Sequence, residues 1–247
     1  MTDLQPLDIL RASPLFSGLE RTTLERMARA LTPERWPKHT EILPAAYTAR
    51  RFVIIGAGRV KVVVGNARNG RELTLWLLGP GDGLDVVGLL DGQPHAASAW
   101  TLDEVQALSG PVPLLREWLE RYAPFRLAMY RFVARQLRSL AELAGDLALH
   151  DTTTRLARLL LRHVSGHARS RGSNRLYELP HEELAGMIGS VRVVVNRVLA
   201  RLRRESVIEL HAGRVSLIDL NRLLRRAEEH LGQLPVRAAD RRRARRK

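Results

Sequence analysis

Between His181 and Arg203 two short amphipathic stretches meet at a glycine, and few folds can satisfy that pattern. In His181-Glu-Glu-Leu-Ala-Gly-Met-Ile-Gly-Ser-Val-Arg-Val-Val-Val-Asn-Arg-Val-Leu-Ala-Arg-Leu-Arg203, the residues Leu184, Ala185 and Ile188 share one helical face. Val195, Val198, Leu199 and Leu202 share another, on the helical rather than the strand period. Neither stretch can bury its face alone, so each must cover the other. Ala185 is small where the second helix would cross, and Gly189 supplies the positive φ of a tight turn. The spacing predicts helices over 181–188 and 191–204 with a turn at Gly189-Ser190. Two short β runs follow, Val207–Leu210 and Arg214–Leu217, joined by His211-Ala-Gly213, so the order is a helix-turn-helix and a wing. A last helix is expected around Asp219–Leu231.

The outward face of the second helix carries Arg192, Val193, Asn196 and Arg197. These are the candidate base readers. Arginine donates two hydrogen bonds to guanine O6 and N7, and a valine can touch a thymine methyl. Arg201, Arg203, Arg204 and Arg214, with Ser190 in the turn, stand where the helix end and wing would meet phosphates. The charge distribution agrees. Residues 1–150 carry 18 Lys/Arg against 16 Asp/Glu, whereas residues 151–247 carry 22 against 10, so nearly all of the net +14 lies in the C-terminal part. A basic module attached to a nearly neutral one points to a polyanion, with nucleic acid ahead of membrane because no amphipathic membrane helix stands out. Solubility alone is the plainer alternative.

Upstream the texture differs. Residues 7–31 read as helical around a Ser13-Pro14 break. From Trp36 to Leu108, short β-rich runs (Arg51–Ile55, Arg59–Val64, Glu72–Leu78) are separated by turns at Gly56–Gly58, Gly65–Gly70 and Gly79–Gly83, the signature of an antiparallel sandwich or jelly roll. In Glu72–Leu78 the alternation places Leu73, Leu75 and Leu77 on one face and Glu72, Thr74 and Trp76 on the other. After Pro111 and Pro113 the pattern is helical to Leu149, with a break near Pro124. Leu127, Tyr130, Ala134, Leu137, Ala141, Ala144 and Ala148 recur at three- and four-residue steps, a stripe that fits either a symmetric dimer seam or packing on the chain's own barrel. Asp151-Thr-Thr-Thr154 opens a further helix to about Val164, and Ser165–Asn174 reads as a loop. The fold class is therefore α+β: a barrel over 1–112, a dimerisation helix over 113–149, a winged helix-turn-helix over 150–231 and a basic tail over 232–247.

Several classes are excluded. Without cysteine there are no disulfides, thiolate ligands or iron–sulfur clusters. No apolar run reaches the ~18 residues needed to span a bilayer, and the N-terminus lacks the features of a signal peptide, so the chain is expected in the cytoplasm and off the membrane. A cupin-type enzyme would need clustered ligands inside the barrel, where only His39 and His95 occur, far apart. No nucleophile elbow or phosphate loop is present. His163 and His167 have metal-ligand spacing but lack a third partner, and no cofactor or metal is expected.

The whole chain resembles the Crp/Fnr family of bacterial transcription regulators. Similarity runs through Ser13-Pro-Leu-Phe-Ser-Gly-Leu19, Gly70-Arg-Glu-Leu-Thr-Leu-Trp-Leu-Leu-Gly-Pro-Gly-Asp82, Leu89-Leu-Asp-Gly-Gln-Pro94, Thr154-Arg-Leu-Ala-Arg-Leu-Leu160 and the helix-turn-helix. The resemblance implies a cyclic-nucleotide-binding-type barrel, a homodimer built on the long helix, palindromic promoter DNA as ligand and contact with RNA polymerase. Family recognition helices commonly carry Arg–Glu and a second Arg four residues after the Glu. Here Arg192, Val193 and Arg197 stand at those positions, so the acidic reader of cytosine is missing and a different half-site is implied. In members that bind cyclic AMP, a Gly–Glu pair and an Arg–Ser/Thr–Ala segment hold ribose and phosphate. Alignment through Gly81-Asp82 and Gly92-Gln93-Pro94 places Asp85-Val86 and His95-Ala96-Ala97 there, with Leu140-Ala141 facing the base position. Valine cannot accept a 2′-hydroxyl bond, and histidine is a poor substitute for a bidentate guanidinium, so no response to cyclic AMP is expected and any effector is unknown. His95 reads either as a pH or anion sensor or as an ordinary turn histidine. Tyr47, Trp76 and Trp100 read as pocket lining or barrel core. The run Arg241–Lys247 adds non-specific DNA affinity or is only a solvated tail.

Overall fold

The computed structural model describes residues 4–66, 68–166, 179–211 and 214–228. The chain divides into two compact units, Met1–Gly145 and Asp146–Lys247. In the first, helices α1 (Pro6–Ala12) and α2 (Arg21–Arg29) flank a single 3₁₀ turn at Pro14–Phe16. The Ser13 hydroxyl accepts from Leu15 N–H at 3.3 Å and donates to the Gly81 carbonyl at 2.7 Å, so the break seen in sequence fastens the N-terminal helices to the barrel.

The barrel consists of β1 (Thr32–Trp36), β2 (Glu41–Leu43), β3 (Arg51–Ala57), β4 (Val60–Asn66), β5 (Arg71–Leu78), β6 (Gly83–Leu84), helix α3 (Val86–Asp91), β7 (Ser98–Thr101) and β8 (Val105–Pro111). Two antiparallel four-stranded sheets form, in the orders β1-β8-β3-β6 and β2-β7-β4-β5. Phe52, Ile54, Ile55, Val60, Leu108 and Leu115 are fully buried in the core they contribute to. Pro33 lies on β1, at an edge, where a residue without an N–H costs the ladder nothing. The regular alternation expected of Glu72–Leu78 is interrupted. Val62 pairs with Trp76 but Val63 pairs with Thr74, so Leu75 is bulged out of register. Thr74 and Leu78 are buried, whereas Leu73 and Leu77 are only half-buried.

Helix α4 (Val112–Arg121) ends where Tyr122 turns extended, and α5 (Ala123–Leu149) begins there with Pro124 in its first turn, where its missing N–H has no partner to lose. Phe125 of α5 stacks on Phe16 with ring centroids 4.9 Å apart and meets Trp118 edge-on at 6.5 Å. With Ala128, Met129 and Phe132 it forms the face of α5 that is buried.

The second unit takes the end of α5, α6 (Thr152–Gly166), α7 (His181–Met187), α8 (Arg192–Arg204), the antiparallel hairpin β9 (Ile208–His211) and β10 (Arg214–Leu217), and α9 (Leu220–Glu228). Asp151 caps α6 by accepting from Thr154 N–H at 2.8 Å, as its sequence suggested. The buried Asp146 carboxylate accepts from Arg158 Nε at 2.6 Å and Arg162 Nη1 at 2.7 Å, tying α5 to α6. Asp219 caps α9 through Arg222 N–H at 2.9 Å. Among the described residues no helix is long and apolar enough to cross a membrane. The expected loop beyond residue 166, His167, the end of the last helix and the basic tail lie outside the described residues.

Candidate nucleic-acid interface

The helix-turn-helix is built as its pattern requires. Leu184, Ala185 and Ile188 are buried, as are Val195, Val198, Leu199 and Leu202 from α8, and Met187 joins them. Gly189 adopts φ +61°, the left-handed conformation glycine takes at no steric cost. Ser190 N–H then donates to the Ala185 carbonyl at 2.9 Å. Arg155, on α6, donates to the Ile188 carbonyl and to the His150 carbonyl, each at 3.0 Å, so a guanidinium satisfies two carbonyls that helix ends leave open.

Arg192, Val193, Asn196 and Arg197 are all exposed on the outward side of α8. Neither Arg192 nor Arg197 has a hydrogen-bond or ion-pair partner among the described residues, so both guanidinium groups are available to an incoming ligand. Asn196 is engaged: His181, at the start of α7, places Nδ1 2.5 Å from Asn196 Oδ1.

The expected phosphate contacts divide. Arg203 and Arg204 are exposed and without an ion-pair partner among the described residues, and Ser190 is half-buried in the turn. Arg201 instead bonds Glu205 at 3.0 Å, and Arg226 of α9 bonds both oxygens of the same carboxylate at 3.0 Å. Burial pushes the Glu205 carboxyl upward, but the two guanidinium groups outweigh it and hold the acid below its ordinary value. The Arg201 side chain nevertheless stays half exposed, as expected of a surface i,i+4 pair. The Arg214 side chain lies outside the described residues. The spacing of Arg201 and Glu205 was visible in sequence as a helical i,i+4 pair; the docking of Arg226 and the His181–Asn196 contact were not, because both depend on how helices cross.

On α5 the stripe runs away from the barrel. Leu127, Tyr130 and Leu137 are 53%, 55% and 67% exposed; Ala141, Ala144 and Ala148 are exposed too, and Ala134 is half-buried. Packing on the chain's own barrel is carried by the opposite face.

Inside the barrel, Asp85, Val86, His95, Trp76, Ser98 and Gln136 border a cavity with about 20 Å³ of free space, room for one water molecule. Gln136 is the residue α5 supplies; Leu140 and Ala141, expected at the base position, do not line it, and Ala96 is exposed outside it. Asp85 is in the left-handed conformation at φ 68°, caps α3 and accepts from Ala49 N–H at 2.6 Å, Gly88 N–H at 3.3 Å and His95 Nε2 at 2.9 Å. A Cβ on Gly88 would sit 2.5 Å from the Asp85 carboxylate, which is why that position is glycine. His95 Nδ1 and Trp76 Nε1 are buried without a hydrogen-bond partner among the described residues. Trp76 is therefore both core and pocket wall, whereas Tyr47 is exposed and stacked under Arg50, and the Trp100 indole N–H donates to Ser98. No cluster of three metal-ligating side chains occurs among the described residues, and the His163 side chain is not among those described.

Residues 154–226 match the Crp-like helix-turn-helix domain, and residues 33–122 match the cyclic nucleotide-binding domain. A CRP-like cAMP-activated global transcriptional regulator from Mycobacterium tuberculosis is 30% identical over 222 residues, covering 89% of this chain and 99% of that protein. The chain belongs to the Crp/Fnr family. Among solved structures, a CooA mutant from Carboxydothermus hydrogenoformans superposes with a TM-score of 0.70 at 21% identity over 92% of this chain and 97% of that one. A CRP-family transcriptional regulator from Thermus thermophilus gives 0.62 at 28% identity, over 78% and 96%. The α+β architecture of this Crp/Fnr protein, barrel then long helix then helix-turn-helix, is the one its sequence predicted, and its relatives are transcription regulators rather than enzymes.

Proposed function

We propose that this Crp/Fnr regulator binds palindromic promoter DNA as a homodimer in the cytoplasm, reads bases with Arg192, Val193, Asn196 and Arg197, and activates transcription by contacting RNA polymerase. The observation that carries the base-reading proposal is the pair of guanidinium groups of Arg192 and Arg197, five residues apart on the outward side of α8, both exposed and without a partner among the described residues. Ser190, Arg203, Arg204 and Arg214 hold phosphates and set the register. Homodimerisation through the exposed stripe of α5 would present two recognition helices to successive major grooves, about 34 Å apart. The domain division in this proposal is sensor barrel, dimerisation helix and DNA-binding module. Operators selected from a random library test the reading. Arg197→Ala should lose ~1–3 kcal/mol on the selected site and relax one base pair per half-site. Equal losses on selected and random DNA would refute base reading there.

DNA binding does not depend on cyclic AMP in this proposal, although the Mycobacterium relative is named for activation by it. Among the described residues no arginine lines the barrel cavity, its free space holds one water, and the Nε2 of His95, at the position that would meet a phosphate, is already bonded to Asp85. Titration with cyclic AMP should leave operator affinity unchanged; tighter operator binding would overturn this. A second reading, an effector other than cyclic AMP in the barrel, is favoured by one observation. His95 Nδ1 and Trp76 Nε1 are buried polar atoms with no hydrogen-bond partner among the described residues; one water would satisfy them, and a larger polar effector would have to open the cavity.

A further inference from the structure

We infer that His181 is a positioning residue for sequence recognition: it fixes the amide of Asn196 so that its NH₂ group, a pure donor, is the one left to meet the DNA. The inference rests on the base-facing role proposed above for Asn196. His181 opens α7 and Asn196 lies 15 residues on, in the middle of α8, yet Nδ1 and Oδ1 are 2.5 Å apart. An amide oxygen only accepts, so the imidazole must carry its proton on Nδ1 and donate. One ring nitrogen is thereby engaged, and the other, Nε2, is buried with no hydrogen-bond partner among the described residues, so nothing described there competes for the ring. The side chain that holds Asn196 is half-buried while the one it holds is exposed, an arrangement in which a fixed group orients a free one.

The consequence is a restriction on what Asn196 can read. A free asparagine pairs with adenine through both ends of its amide, accepting from N6 and donating to N7. With Oδ1 turned to His181 and one of its two lone pairs occupied, the NH₂ group is the end turned outward, and it favours base edges that present acceptors. Guanine offers N7 and O6, thymine offers O4, and cytosine offers the N4 donor, which an NH₂ group cannot satisfy. His181 thus sets specificity at one base pair without itself touching DNA.

The test uses the full chain and operators selected by it. Asn196→Ala first locates the base pair concerned, with a loss of discrimination of about 5- to 150-fold there. His181→Ala should relax the same base pair by about 2- to 10-fold, the scale of one hydrogen bond, and leave preferences at the other positions in place. His181→Gln, whose amide N–H can donate to Oδ1, should restore most of the preference. In the double variant, loss of His181 should add nothing to the loss caused by Asn196→Ala. Melting curves identify any variant that has lost its fold, and His181→Gln then carries the comparison. If Asn196→Ala alters no base preference, the base-reading role fails and this inference falls with it. If Asn196→Ala alters one while His181→Ala lowers affinity equally on every sequence, the inference alone is overturned. Selection of cytosine opposite Asn196 would overturn it as well.

Discussion

Replacing Leu137 by aspartate separates the dimer seam from the fold. Leu137 is 67% exposed in the single chain, so the monomer has little to lose from the change, and its melting temperature should move by no more than a surface substitution does. In a symmetric dimer the same side chain would be covered twice. Burying a leucine contributes ~1.5–3 kcal/mol; scaled by the exposed two-thirds, each copy accounts for ~1–2 kcal/mol and the pair for ~2–4. Two carboxylates brought together across the twofold axis add ~1–4 kcal/mol of repulsion, depending on how much water reaches them. The sum, ~3–8 kcal/mol, weakens dimerisation by about 10²- to 10⁶-fold. Sedimentation velocity should show the Leu137→Asp chain as a monomer, and operator affinity should fall with it while the circular dichroism spectrum stays unchanged. A variant that remains dimeric, or a parent protein that is monomeric at the same concentration, would refute the seam.

Three further outcomes are expected. Arg204→Ala should weaken binding to selected and random DNA alike and reduce the slope of log affinity against log salt by about one, as measured by fluorescence anisotropy. Asp146→Ala leaves Arg158 and Arg162 without their shared buried acceptor, and since both arginines are partly exposed the cost should be ~2–4 kcal/mol, read from denaturant unfolding of the C-terminal unit. Glu205 is held below its ordinary value of 4.5, so the folded state gains from it above that pH and loses the gain as pH falls through the depressed value; the acid limb of the stability curve should be shallower in Glu205→Gln.

The parts of the molecule legible in sequence were those in which one period ran unbroken. Every inward residue from Leu184 to Leu202 is apolar and the turn between them needs a glycine, so the helix-turn-helix could be drawn from composition and spacing alone. The break before Pro124 was visible because proline allows only a few positions in a helix. Other features left no periodic trace. A bulge at Leu75 adds one residue to a strand without altering its chemistry, and it puts Thr74 on the opposite face from Trp76 and Leu78, where an unbroken alternation would have kept those three together. Asp85 stood out in sequence only as a mismatch to a ribose-binding glutamate; its work as a cap that binds His95 depends on a left-handed backbone. Arg201 was read as facing phosphate because its helix end pointed that way; its shared carboxylate, Glu205, gains a second guanidinium from Arg226 only once α9 has docked.

The four outward side chains of α8 have a consequence for how such a regulator can diversify. None of them belongs to the buried set that sets the angle of the helix, and that angle is fixed largely by Gly189, by the apolar contacts beneath and by a guanidinium bonded to main-chain carbonyls. Exchanges at 192, 193 and 197 should therefore shift stability by no more than about 0.5 kcal/mol while rewriting which operators are occupied. New regulons could be acquired by drift across a surface that the rest of the molecule does not constrain.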